Sequence, residues 1–116
     1  MPIQSNYLFV VSMDVDPAFE DLFNEVYDEE HVPLLLKVPG VNAVSRLKGE
    51  PFAVSIGGER KEMPAPSPVY TALYEIDDPS VLESAEWASA VEEGRWPNQV
   101  RPHTTNRSHS LFKLRQ

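Results

Sequence analysis

Asp28, Glu29, Glu30 and His31 stand in a row in the stretch VYDEEHVPLLL, Val26 to Leu36, with Tyr27 directly before them. A free imidazole titrates near pH ~6.5, so a histidine can take or give a proton at neutral pH, as enolisation, ring closure or abstraction of a phenolic proton requires. A tyrosine one helical turn earlier can donate a hydrogen bond to the oxyanion that such a step creates. Nearby carboxylates favour the imidazolium and can orient its ring. Two readings follow. In one, the three acids tune and position His31. In the other they are merely solvated, and His31 is a partly buried histidine bonded to a backbone carbonyl.

Other side chains carry weaker signals. Arg46 and Tyr74 could anchor an anionic or phenolic ligand, although lone strand residues of these types more often face a subunit contact or solvent. Trp87 and Trp96 could stack on an aromatic substrate, against the usual role of tryptophan in a core or interface. His103 follows a proline in a loop, and His109 points with Arg107 and Leu111 to one face of the last strand; both read as structural or solvated. No histidine spacing forms a metal-ligand motif. No Gly-rich phosphate loop, Ser-His-Asp order or flavin fingerprint is present, so neither a metal nor a tightly held organic cofactor is expected.

The elements that must position these residues follow from periodicity. Residues 7–13, YLFVVSM, are aromatic and β-branched and read as a strand. Asp16 and Pro17 open a helix whose stripe Phe19, Leu22, Phe23, Val26 and Tyr27 continues by four onto His31, placing the histidine on or beside the core face. Pro33 disfavours helical geometry at Val32, so a break after His31 is expected, with PLLLK as a further turn. A helix ending there would carry three acids on the negative end of its macrodipole, unfavourable by roughly a few tenths of a kcal/mol each. VPGV is a turn, VNAVSRLKG a second strand, VYTALYEI at 69–76 a third, and DDPS starts a second helix with Val81, Leu82, Ala85, Ala88 and Val91 inward. RWPNQVRPH reads as irregular, and RSHSLFKL at 107–114 as the fourth strand.

The order β-α-β-β-α-β is that of a ferredoxin-like α+β fold, with two helices on one face of a four-stranded antiparallel sheet. The strands are apolar on both faces, Tyr7, Phe9, Val11 and Met13 on one side of the first against Leu8 and Val10 on the other. Two helices cover only one face, so a second subunit is the expected cover. Between the second and third strands, residues 50–68 carry Gly57-Gly58 and four prolines and read as a long loop in which FAVSI could add a strand extension, either a segment ordered at the His31 site or across a dimer contact, or a plain linker.

The chain has 116 residues, 41% of them hydrophobic, and no cysteine, which fits one domain over 1–116 without disulfides, thiolate ligands or a cysteine nucleophile. A formal net charge of −8 argues against nucleic acid and anionic membrane surfaces. The absence of a long apolar run and of a secretory signal leads to the expectation of a cytoplasmic protein. Residues 1–36 hold eight acids and no Lys or Arg, while residues from Gly94 onward hold five bases and no acid. These are either two solvated faces, or a basic tail lying against an acidic helix of its own or a partner subunit.

The stretch FNEVYDEEHVPLLLKVPGV, Phe23 to Val41, resembles the signature of the EthD-like branch of the dimeric α/β-barrel superfamily, with Tyr27, His31, Pro33 and Pro39-Gly40 at the motif positions. EWASAVEEGRWPNQVRP, Glu86 to Pro102, resembles the segment before the last strand of several such sequences. The resemblance implies a homodimer whose sheets face each other as a barrel, with a pocket between sheet and helices in each subunit. It also implies His31 as acid or base in any relative that is an enzyme. Cofactor-free monooxygenases, cyclases and isomerases acting on aromatic, polyketide-like or lactone compounds belong to this group. A protein that sequesters a small hydrophobic molecule without changing it, and a dimeric module that reads a ligand, remain alternatives.

Overall fold

The computed structural model describes residues 3–115. Six strands are present: β1 (Tyr7–Val15), β2 (Val41–Lys48), β3 (Phe52–Ile56), β4 (Glu59–Met63), β5 (Tyr70–Ile76) and β6 (Thr104–Lys113). The main sheet is antiparallel in the order β2-β5-β1-β6, and β3 pairs only with β4. Without β3 and β4 this is the ferredoxin-like arrangement expected from the element order.

Asp16 starts the first helical rod by accepting from the Ala18 N–H at 3.0 Å. The rod continues through α1 (Glu20–Val26), a π turn (Tyr27–His31) and α2 (Val32–Leu36). The expected break after His31 does not occur. Pro33 has no N–H to give to the carbonyl four residues back, and the chain absorbs this by widening one turn, so that the Val32 N–H bonds five residues back to Tyr27. The acids 28–30 therefore lie mid-rod, away from the terminal carbonyls where the macrodipole acts. After β5 come a 3-10 turn (Pro79–Glu83) capped by Asp78, then α3 (Ala85–Ala90), capped by Ser84 Oγ accepting from the Trp87 N–H at 3.1 Å. The segment read as irregular is helical: a second π turn (Trp96–Val100) runs into a 3-10 turn (Arg101–His103).

The helical layer covers one sheet face. Phe23, Val26 and Leu35 of the rod, Val100 of the second π turn, and Tyr74 and Ile76 of β5 are nearly inaccessible. The other face carries Leu8, Val10, Leu47, Leu73 and Phe112, and no element among the described residues covers it.

Residues 50–68 are not a structureless loop. Gly57 and Gly58, at φ +62° and +81°, make a tight turn between β3 and β4, the left-handed pair that glycines adopt without steric cost. Its base is tied down where Val69 N–H donates to Asp14 and Gly49 N–H to the Val69 carbonyl. The arm accounts for part of the flat outline of 50 × 41 × 19 Å and for a radius of gyration of 15.8 Å, against roughly 13 Å for a compact chain of this length.

Candidate functional site

Tyr27 and His31, four residues apart on the rod, both point inward, and the π turn is what carries them there. Opposite them β1 and β5 supply Phe9, Val11, Met13 and Tyr74, while α3 and the second π turn supply Trp87, Val91 and Trp96. Together these residues line a cavity of about 230 Å³, with Arg101, Arg107 and His109 also on its wall.

His31 is 5% exposed, and its Nδ1 is fully buried without a hydrogen-bond partner. Its ring stacks on Trp96, 4.5 Å between centroids, and meets Tyr27 edge-on at 5.0 Å. Burial first, then the positive charges of Arg101 and Arg46, push its pKa down to about 4, against a smaller upward pull from Glu92. The imidazole is neutral at neutral pH, the opposite of what acids acting on it would produce.

The acids have other partners. Asp28 pairs with Arg46 at 2.9 Å. Glu30 accepts the Arg95 backbone N–H at 2.9 Å and binds its guanidinium, which also reaches Glu25 at 2.9 Å. The Arg95 backbone and side chain hold the Glu30 carboxyl below its usual range. Glu30 fits neither reading of the three acids; Asp28 is exposed, as the second reading had it, and pairs with Arg46, so that the two acids tie the rod to the segment after α3 and to β2. The basic C-terminal part does touch the acidic helix, through Arg95; Arg101 turns instead to Glu92 at 2.8 Å.

Tyr27 and Tyr74 share a hydrogen bond of 2.5 Å, and burial raises the pKa of both, most strongly that of Tyr74. One hydroxyl proton lies between them and the other is left to donate elsewhere. Trp87 is half-buried and meets Phe9 and Tyr74 edge-on at 5.9 and 5.7 Å. Arg46 lies away from the cavity, behind Tyr27, with its guanidinium 4.3 Å from that ring centroid and its charge matched by Asp28.

Thus Tyr27, His31, Tyr74, Trp87 and Trp96 converge on one cavity, and Arg46 does not. Sequence reasoning missed Arg101 and Arg107 and set His109 aside. The signal was the alternation of Arg107 and His109 on one face of β6, which becomes informative only once the Val11–His109 pairing puts that face against the cavity. His103 stacks on Phe19 at 3.4 Å, away from it. No group of acids, histidines and cysteines among the described residues is arranged to hold a metal, and no helix is long and apolar enough to cross a membrane.

No family model and no curated protein sequence matches the chain. Solved structures do. An EthD family protein from Bacillus halodurans matches at a TM-score of 0.56 with 17% identity, over 93% of this chain and 98% of that one. MhuD from Mycobacterium tuberculosis, a heme degrader with two hemes bound in its active site, matches at 0.59 with 10% identity, over 95% and 96%. A protein from Nitrosomonas europaea provisionally assigned as an antibiotic biosynthesis monooxygenase matches at 0.55 with 10% identity, over 95% and 99%. The chain has the ferredoxin-like fold from which dimeric α/β-barrel proteins are built, and the resemblance to the EthD-like branch fits it.

Proposed function

We propose that the cavity binds a small aromatic or lactone molecule and that His31 acts on it as a base without a cofactor, in a chain that works as a homodimer. The observation that carries this reading is an aromatic-walled cavity lined by His31, a neutral imidazole whose Nδ1 is buried without a partner. The fold shared with an EthD family protein and a heme degrader supports small-molecule work at this place.

In an enolisation or isomerisation, His31 takes a proton from a carbon or hydroxyl of the substrate. The free hydroxyl proton of the Tyr27–Tyr74 pair is donated to the oxygen that gains the charge. His31 then returns its proton to another atom of the same molecule, so no oxidant enters; a monooxygenase reaction would add dioxygen as co-reactant. The cavity of about 230 Å³ lies below the ~300–1,000 Å³ typical of drug-sized ligands, which favours one or two rings and leaves too little room for a porphyrin of the kind MhuD holds.

A rival reading, a protein that binds such a molecule unchanged, draws support from the pKa of about 4, which makes His31 a weak base in the empty cavity. Incubation with a panel of phenols, anthrones and lactones, followed by mass spectrometry, separates the two. Conversion that His31→Ala abolishes supports the enzyme; a ligand recovered bound and unaltered supports the binder.

A further inference from the structure

We propose that the wall formed by Arg107, with Arg101 and His109 beside it, is an anion subsite that holds the carboxylate of a small aromatic acid whose ring lies among Phe9, Trp87 and Trp96. The proposal rests on the reading of the cavity as a ligand site and names the class of ligand.

Charge is the first argument. The chain has 18 acidic residues against 10 basic ones, yet no carboxylate lines this cavity, while two arginines and two histidines do. Chance placement in so acidic a chain would give the opposite balance. Pairing is the second. Arg46, Arg95 and Arg101 are each matched by carboxylates, Asp28, Glu25 with Glu30, and Glu92. Arg107 is exposed, and its side chain has no ion pair or hydrogen bond among the described residues. A guanidinium at a cavity wall with its fork of donors unused is matched to a planar carboxylate, which it binds through two parallel bonds.

Geometry is the third. Val11 of β1 pairs with His109 of β6, so His109 and Arg107, two residues apart, project on the helix-facing side of the sheet edge. His109 stacks on Phe9 at 5.9 Å and 29°, which extends the aromatic wall up to the arginine. A bound carboxylate would also change His31. The charged and titratable groups around it are Arg101, Arg46, Arg107, His109, Glu92, Tyr27 and Tyr74, and its proton affinity is lowered by burial and by Arg101 and Arg46. An anion placed among the cations offsets their field and raises that affinity, so the proper ligand makes His31 a stronger base.

Calorimetric titration of the intact protein with 2-naphthoate and its neutral counterpart 2-naphthamide tests the subsite. The naphthoate is expected to bind about tenfold or more tightly than the amide, since hydrogen bonds between charged groups are worth that much. Arg107→Gln, at an exposed position, should remove most of this preference by weakening naphthoate binding far more than amide binding, with Arg107→Lys in between. Equal binding of the two probes by the wild type, or an equal loss for both in Arg107→Gln, overturns the subsite while the cavity reading stands. Binding of neither probe overturns both.

Discussion

The imidazole of His31 and the indole of Trp96 lie ring on ring, 4.5 Å apart and 22° from parallel, where one π turn meets the other. Contact this close makes Trp96 a reporter, because an imidazolium quenches indole emission and a neutral imidazole does so far less. In a Trp87→Phe background, emission is expected to fall as the pH passes about 4, the value at which His31 takes its proton. A quench centred near 6.5 would mean that His31 is not desolvated as the structure has it.

The same depressed pKa links His31 to stability. Its folded value, about 4, lies below the ~6.5 of an unfolded histidine, so the unfolded chain binds the extra proton between those limits. The contribution of neutral His31 is full above pH ~6.5 and is lost as pH falls toward 4, at up to about 1.4 kcal/mol per pH unit. Urea unfolding at pH 7 and pH 4.5 should show the wild type losing more stability than His31→Gln. The carboxylates that other partners hold below their usual range, Glu20, Glu30 and Asp78, act equally in both proteins. An identical loss in the two would refute the linkage.

Tyr27 and Tyr74 should behave as a unit. Removing either hydroxyl strands the other, so Tyr27→Phe and Tyr74→Phe are each expected to cost about 1–3 kcal/mol. The double variant should cost less than their sum by roughly 0.5 kcal/mol or more, the coupling of directly bonded groups. Additive losses in a denaturant double-mutant cycle would count against the shared bond.

The fold was legible because its signals are local. Asp16-Pro17 and Asp78-Pro79 mark helical starts, the stripe from Phe19 to Tyr27 continues to His31, and the order of elements allows few arrangements. What failed was compensation at a distance. Pro33 breaks an isolated helix, but with Phe23, Val26 and Leu35 all packed on the sheet a widened turn keeps the rod intact. In residues 50–68 the prolines lie outside the paired strands, so Gly57-Gly58 could close a hairpin that proline content had hidden. The site was half legible for the same reason. Tyr27 and His31 share a helix face that spacing reveals, whereas Arg107 and His109 gain meaning only from pairing with a strand nearly a hundred residues earlier.

Gly94 tests the brace between Arg95 and the acidic rod. Its φ is +72°, and a methyl group there would meet Glu30 Oε1 at 2.6 Å. Gly94→Ala is expected to cost about 1–2 kcal/mol from the left-handed backbone alone, and more from displacing Glu30. Combined with Glu30→Ala, which removes the obstructing carboxylate, the second part of the loss should disappear. Thermal melts of the two single variants and the double variant decide this, and full additivity would mean that the Glu30 contact is unimportant.

The hairpin and the bare sheet face make the last prediction. Phe52, Val54 and Ile56 project as one stripe from β3, with Met63 paired to Phe52, and Phe52 and Ile56 are 55% and 52% exposed. An isolated two-stranded hairpin is marginal in water, so this stripe needs cover. None of its residues lines the His31 cavity of the same chain, which removes the lid over that cavity as its role and leaves the dimer contact. The uncovered sheet face, with Leu47 and Phe112 at 47% and 57% exposed, is a second apolar surface needing the same remedy. A second copy of the chain would supply both. Light scattering should give a dimer at micromolar concentration, and a monomer would sink the claim. Phe52→Ser with Ile56→Ser should weaken the dimer, and because Arg60 and Lys61 lie in β4, trypsin should then cut there faster than in the wild type. A dimer that withstands both substitutions, with unchanged trypsin rates, would place the contact on the sheet face alone and the hairpin outside it.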